Sequence, residues 1–353
     1  SPDKSYAYAN HDFTTHEIHM ATLRVEHQLS RALSLRNTLR WASFGRSMEA
    51  TIAMLDATDS NGNPVGASTP LELLRVSRRH DSGRARDNDD GLLINQTELT
   101  WKTATGSVKH TVLGGVGIGR ERLIRNNYTF AGTTTSFTPL LNPDPWTALD
   151  YTKTPNDRFR SEADTLALYA QDQAELSEHW KALFGLRWER YDASARQTDI
   201  ATGGTVIGND GNPVDFRRID SMLSTRAGLI WQPSPRQSYY VSYGNSYNPS
   251  GELGVYGGTA TNLNAQTEDQ DPEKKRNYEA GAHWDIGSGL SLRTGVFRNE
   301  KTNARMADPD SGQTVLAGKR RIDGIEAQLA GRITPNWDVT AAIAWMSGEI
   351  VSG

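Results

Sequence analysis

Apolar and polar residues alternate with period two from Glu17 to Leu29, and again from Leu33 to Trp41. Leu23, Val25 and Leu29 share one face of the first run, while Thr22, Arg24 and Glu26 share the other. In the second run Leu33, Leu35, Leu39 and Trp41 alternate with Ser34, Arg36, Thr38 and Arg40. Period two is the signature of a strand with two unlike faces, and the break at Ser30 to Ala32 makes the two runs a hairpin. The unit recurs: Leu93–Trp101 with Val108–Ile118, Leu166–Leu176 with Trp180–Trp188, and Leu223–Trp231 with Tyr239–Tyr243. Tyr278–Ile286 with Leu290–Val296 and Ile325–Ile333 with Val339–Trp345 complete the set. The pattern predicts an all-β chain of about twelve antiparallel strands, with short turns inside hairpins and connections of about twenty to fifty residues between them. Short turns at one end and long loops at the other are the layout of an up-and-down transmembrane β-barrel.

A soluble β-sandwich or propeller also alternates, and tryptophan placement separates the two. Trp101, Trp180, Trp231, Trp284 and Trp337 each lie within a few residues of a short turn, while Trp41, Trp188 and Trp345 lie further along their strands. Nine residues of a tilted strand rise about 23 Å, close to the height of an apolar membrane band between two aromatic girdles. Arg24, Arg36, Arg40, Arg187, Arg226 and Arg293 all fall opposite the apolar face, as they must, since arginine in lipid costs about 2–4 kcal/mol at mid-membrane. Asp172 is out of phase, on the face of Leu168 and Leu176. Gly115, Gly117 and Gly119 alternate on one strand, where glycine marks curvature or close approach. With 36% hydrophobic residues the chain lacks the run of roughly 18 apolar residues of a membrane helix, which a barrel does not need. The net charge of −4 supplies no long basic stripe for nucleic acid.

Specific motifs sit on these strands. Tyr169 to Asp172 followed by Gly185 to Asp192, then Ser242 to Glu252, then Asp271 to Lys274 with Tyr278 to Gly281, occur in the order found in TonB-dependent outer-membrane siderophore receptors of the catecholate type. Phe297 to Arg305 and Gly318 to Thr334 continue the resemblance. It implies a barrel of about 22 strands closed by a plug domain. About twelve of those strands lie in this chain, so residues 1–353 read as a partial barrel domain, an interior piece without plug or C-terminal strands. It further implies a Gram-negative outer-membrane location and import of a ferric siderophore. The implied partners are the TonB–ExbB–ExbD system through the plug, outer-membrane lipid and lipopolysaccharide, in a monomer. Iron arrives already chelated, so no resident cofactor or protein metal ligand is implied. Receptors for hydroxamate siderophores, haem or cobalamin, and a passive porin, remain alternatives within the barrel reading.

Anionic aromatic ferric complexes call for cations beside aromatic rings at the bases of the outer loops. The candidates are Arg120, Arg122 and Arg125 with Tyr128 and Phe130, Arg217 with Arg218, Tyr247 and Tyr256, and Lys301 with Arg305. Lys319, Arg320 and Arg321 suit lipopolysaccharide equally well. His16 and His19 are three apart in a strand and face opposite sides, so they do not share a metal. Asp87 to Gly91 has the flavour of a calcium loop but lacks flanking helices, and reads as loop structure. Asp59 to Gly66, Asn209 to Asp215 and Asp308 to Gly312 read as tight turns rich in Asn, Asp and Gly. No catalytic triad, carboxylate pair or zinc signature stands out, and the chain reads as a non-enzyme.

Overall fold

In the computed structural model, residues 5–79, 85–208, 211–249, 251–252, 263, 268–287, 289–307, 314–316 and 318–352 are described. The strands in chain order are β1 (Phe13–Gln28), β2 (Leu33–Glu49), β3 (Ile52–Leu55), β4 (Arg75–Arg79), β5 (Ala85–Thr105) and β6 (Val108–Thr133). There follow β7 (Thr135–Pro139), β8 (Asp150–Glu175), β9 (Trp180–Asp199), β10 (Asp215–Ser234), β11 (Gln237–Asn248) and β12 (Glu273–Asp285). The last are β13 (Leu290–Thr302), β14 (Arg305–Ala307), β15 (Thr314–Leu316), β16 (Lys319–Thr334) and β17 (Trp337–Ser352). Twelve of them form one sheet in the order β1-β2-β5-β6-β8-β9-β10-β11-β12-β13-β16-β17, every neighbour antiparallel. This is the meander expected from the hairpin pattern. The short strands β3, β4 and β7 form a separate sheet, and β14 pairs with β15.

The register shows how the two faces differ. One row across the sheet runs Glu26, Arg36, Glu98, Gly115, Tyr169, Arg187 and Ser224, each directly opposite the next. Arg36 Nε donates to Glu98 at 2.7 Å, the Tyr169 hydroxyl donates to Glu98 at 3.0 Å, and Arg187 lies over the Tyr169 ring at 5.5 Å. The adjoining row on the other face runs Val25, Asn37, Thr97, Val116, Leu168, Trp188 and Leu223. Buried apolar residues such as Ala42, Leu92, Leu123, Ala163, Tyr191 and Met222 share the parity of the Tyr169 row, whereas exposed Leu93, Leu99, Leu168, Phe184, Leu223 and Leu229 share that of the Trp188 row. Side chains crowd on the concave side of a curved sheet, so the polar row is the inner face and the apolar row faces outward. Arg24, Arg40, Arg226 and Arg293 share the inner parity, as the sequence demanded.

The turn-proximal tryptophans make an outward girdle. Trp180 and Trp231 are direct cross-strand partners stacked at 6.1 Å, Trp231 stacks on Tyr239 at 5.3 Å, and Trp284 donates its indole N–H to the Tyr239 hydroxyl at 3.0 Å. Trp101 and Trp337 lie on the same outward parity beside their own turns. Asp172, the residue out of phase, shares a 2.6 Å hydrogen bond with His110 on the neighbouring strand through one carboxyl oxygen, while the other oxygen has no partner among the described residues. Asn37 and Asn95 satisfy each other, their side-chain amides exchanging hydrogen bonds at 3.1 and 3.2 Å on the outward face. Such mutual satisfaction is what an apolar surround requires of a polar group.

Several strands outrun the sequence reading. Strands β6 and β8 each have 26 residues, and the expected turn from Thr103 to Ser107 shrinks to Gly106 and Ser107 between Thr105 and Val108. Gly106 has a φ of 61°, a left-handed conformation that a two-residue hairpin turn requires. The reason is that apolar alternation marks only the lipid-crossing part of a strand. Beyond it both faces are polar while backbone pairing continues. Consequently Asp87 to Gly91, expected to be a loop, is part of β5 and pairs with β2 and β6. Residues 120–133 and 150–160 likewise belong to strands rather than loops. Asp59 does make a turn: its carboxylate accepts the N–H groups of Asn63 at 2.8 Å and Asn61 at 2.9 Å, which holds it below the usual carboxylate range. Of Asn209 to Asp215, the first two residues lie outside the described ones. Gly211 has a φ of 80° in a turn closed by the Gly208 N–H to the Asn212 carbonyl at 2.8 Å, and Asp215 opens β10. Asp308 to Gly312 lie outside the described residues.

Candidate functional site

Strand parity divides the sequence candidates. Arg120, Arg122 and Arg217 stand on the outward face just beyond the apolar band. Arg120 grips Asp164 with two hydrogen bonds of 2.7 and 3.0 Å, Arg217 grips Asp192 at 3.1 and 3.0 Å, and Arg122 approaches Asp89 at 3.5 Å. Asp192 is also reached by Arg190 at 3.1 Å, and Arg196 binds Asp215 at 3.0 Å. This outward belt is therefore a largely self-neutralised network. Arg120, Arg122 and Arg217 do not converge with Arg125 and Arg218, because an odd step along a strand changes the face.

Arg125 is on the inner face, its guanidinium 5.3 Å from the Phe159 ring. Burial and then the nearby Arg86 lower its pKa, against the pull of Asp157. Tyr128 donates its hydroxyl to Asp87 and carries the Lys153 ammonium 4.1 Å over its ring. Burial, and after it the Asp87 hydrogen bond, pushes its phenol up to about 12.

Arg218 has the most committed side chain. Its Nε donates to Asp220 at 2.6 Å, its Nη1 donates to the Glu268 carbonyl at 2.7 Å, and its Nη2 lies 3.5 Å from Asp271. Glu268 and Asp271 belong to the connection from β11 to β12, so Arg218 ties that connection to the wall. Leu263, from the same connection, is buried in a cluster with Leu123, Phe159, Tyr191, Ala193 and Met222. Gly251 approaches so closely that a Cβ there would meet Ala193 at 2.7 Å. The connection thus folds onto the inner face. Tyr247 packs against this cluster, with the Lys274 ammonium 5.3 Å from its ring.

Beside that cluster, Glu121 lies half-buried in the row Ala42, Leu92, Glu121, Ala163, Ala193 and Arg218. Desolvation, and then the charges of Glu252 and Glu189, raise its pKa. Lys301 is on the inner face some strands away, paired with Glu273 at 2.7 Å. Lys319 and Arg321 face outward, binding Glu300 at 2.7 Å and Glu349 at 2.6 Å, whereas Arg320 between them faces inward. Arg305 contributes its backbone to β14, its side chain lies outside the described residues, and so does all of Tyr256. The structure therefore gathers Arg125, Arg218 and Tyr247 around one apolar cluster and leaves Lys301 in a second, basic zone.

Sequence reasoning passed over Glu121 and Lys275, and grouped Arg320 with Lys319 and Arg321, from which its inward parity separates it. Carrying the inner parity outward from the apolar span, residue by residue, would have found the first two and separated the third.

The arrangement can bind and guide a polar solute along one face while the other meets lipid. A family model described as "TonB dependent receptor-like, beta-barrel" matches residues 1–351. The chain belongs to that family. It is 26% identical to the probable TonB-dependent siderophore receptor PiuA of Acinetobacter baumannii, over 98% of this chain and 46% of that protein. It is 25% identical to the catecholate siderophore receptor Fiu of Escherichia coli K12 over 94% of the chain and 44% of Fiu, and 29% identical to the metal-pseudopaline receptor CntO of Pseudomonas aeruginosa over 76% and 36%. The crystal structure of Fiu in its closed form superposes with a TM-score of 0.78 at 25% identity, covering 99% of this chain and 49% of that one. The chain thus spans about half the length of the curated relatives it matches, and it is outer-membrane barrel wall of the Gram-negative type.

Proposed function

We propose that this wall belongs to a receptor that captures a ferric siderophore of the catecholate type and imports it with energy from the TonB–ExbB–ExbD system. The observation that carries the reading is the likeness to Fiu, which extends along nearly the whole chain in both sequence and structure. An inner face lined by Arg, Lys, Tyr, Asn and Glu, set against an apolar outward face, suits passage of a charged chelate. Iron is cargo in this reading, held by its chelator, and the chemistry is binding without bond making. The protein acts as a monomer, its outward cations meeting outer-membrane lipid and lipopolysaccharide.

A second reading, import of another metal chelate, is favoured by the 29% identity to the metal-pseudopaline receptor CntO. One experiment separates them. The complete gene is expressed in an iron-starved strain that lacks its own catecholate receptors, and uptake of radioactive iron is followed. Uptake with a tris-catecholate chelator that disappears when TonB is deleted supports the first reading. No iron uptake with the catecholate, together with uptake of a different radiolabelled metal chelate, supports the second, and TonB-independent uptake of small solutes would indicate a porin.

A further inference from the structure

On the outward face of β12, β13, β16 and β17, Arg276, Glu300, Arg321 and Glu349 are successive cross-strand partners. Charge alternates along that row, and Arg321 meets Glu349 at 2.6 Å. The adjoining row on the inner face runs Lys275, Lys301 and Arg320, again directly opposite one another. Here three cations stand side by side, an arrangement that destabilises a sheet through like-charge repulsion. Glu273 offsets one of them, through its 2.7 Å contact with Lys301. Lys275 and Arg320 are exposed and make no ion pair among the described residues. Two rows of the same strands, at the same height, are thus balanced on the lipid side and unbalanced on the inner side.

The inner row borders a cavity of about 630 Å³ that Arg226 also lines. That volume lies within the usual range for small-molecule sites. Ser246, Asn277 and Asn299 share the lining, and the Asn277 amide donates to Asn299 at 2.9 Å. Hydroxyl and amide groups beside convergent cations can bond the oxygens of an anion from several sides. The cations gather at one height instead of spreading along a strand, which fits a compact polyanion better than an extended acidic peptide.

We propose that Lys275, Lys301 and Arg320, with Arg226, form a station on the inner wall that holds a multiply anionic metal chelate during its passage. The inference rests on the import reading above and adds which part of the wall senses ligand charge. A neutral chelate of the same size gains little there, so the row favours anionic cargo.

The test uses the complete receptor and two iron(III) complexes as probes, a tris-catecholate trianion and a neutral trihydroxamate. Equilibrium binding is read by quenching of tryptophan fluorescence at low and high salt. The double variant Lys275→Gln/Arg320→Gln should lose about tenfold in affinity for the trianion at low salt, the order expected for two exposed charges near a trivalent anion. It should also lose most of the salt dependence, since exposed charges are screened at about 0.5 M salt. Any affinity for the neutral complex should stay unchanged. Arg321→Gln, one residue along on the outward row, should alter neither. Lys275 should moreover be protected from acetylation by the trianion in the native receptor. Unchanged trianion affinity in the double variant, with Lys275 acetylated equally with and without ligand, overturns the station and leaves import standing. That result would point instead to a protein segment covering the row. Equal loss for both complexes overturns it too, as a wall defect. A native receptor that binds neither complex removes the import reading along with it.

Discussion

The ring of Tyr169 lies flat across Gly115, its direct partner on the neighbouring strand, so closely that a Cβ on Gly115 would overlap it. The pose lets the Tyr169 hydroxyl donate to Glu98 two strands away, while the Gln96 amide donates to the hydroxyl at 2.7 Å. The relationship repeats along the inner face. Tyr240 lies across Gly281, where a Cβ would come within 2.6 Å of the ring, and Phe297 lies across Gly324. Each glycine leaves a shallow slot that takes one large ring, which covers the bare backbone and keeps the ring against the wall. The inner space stays open as a result.

Substituting Gly115 by Ala should therefore force the Tyr169 ring off the wall and break its bonds to Glu98 and Gln96. The expected cost is about 1–3 kcal/mol, typical of overpacking a fitted contact. Tyr169→Ala removes the ring that the new methyl strikes, so the double variant should be less destabilised than the sum of the two single ones. Urea unfolding of the four proteins in detergent gives the coupling, and strict additivity would show that the ring and the glycine do not constrain each other.

The same pairs show what was legible in the sequence. Period two gave the faces, and glycine at 115, 117 and 119 marked a close approach, but the partner was hidden. Tyr169 lies across from Gly115 because β8 is registered against β6, and register is a property of two strands. The apolar alternation also gave all twelve wall strands and their order, because lipid punishes a wrong phase at every residue it touches. Beyond the band that penalty vanishes. There the sequence no longer distinguished strand from loop, so Asp87 to Gly91 and residues 120–133 looked like loops. Arg122 and Arg125 looked alike for the same reason, although one extra odd step sends them to opposite faces. The inward fold of the β11–β12 connection had no local signal, since it depends on Leu263 reaching a cluster built from other strands.

The outward face should reject charge where the inner face accepts it. Ala227 lies exposed on the outward side, opposite Phe184 and Tyr243, four residues from Trp231 in the girdle. Replacing it with arginine should cost about 2–4 kcal/mol in lipid vesicles, the penalty for a cation near mid-membrane. Ser242 is inward-facing and opposite Glu279, so Ser242→Arg should change stability by about 0.5 kcal/mol or less. Folding into vesicles under urea titration reads both. Equal penalties for the two would mean that the faces are wrongly assigned.

Arg218 should govern how firmly the β11–β12 connection is held. Its side chain and that of Asp220 are nearly withdrawn from water, and breaking such a pair costs about 3–5 kcal/mol when one charge is left behind. Arg218→Gln should thus destabilise the wall locally and expose the connection to protease between β11 and β12. Arg218→Lys should rescue little, because a single ammonium cannot bond Asp220 and the Glu268 carbonyl in the fork geometry seen here. Limited proteolysis with mass spectrometry locates the cut. Cleavage rates equal to wild type in both variants would remove Arg218 as the anchor.

Glu121 should make the upper inner wall steadier in mild acid. It lies on β6 beyond the apolar residues Val112 to Ile118, among Leu92, Ala163 and the carboxylates of Glu189 and Glu252. Burial and those two charges hold its pKa above the ordinary value near 4.5. The folded state therefore binds this proton more tightly than the unfolded chain does. Its contribution to stability is complete below the ordinary value and is lost as pH rises through the raised one. Other carboxylates here work in the opposite direction: ion pairing, through Arg217, lowers the pKa of Asp192, so its contribution fades on acidification. The difference between wild type and Glu121→Gln isolates the one group. The variant, uncharged at every pH, should gain relative to wild type above the raised pKa and lose that advantage as pH falls towards 4.5. Urea midpoints across that range measure it, and a pH-independent difference would show that Glu121 keeps its ordinary protonation in the fold.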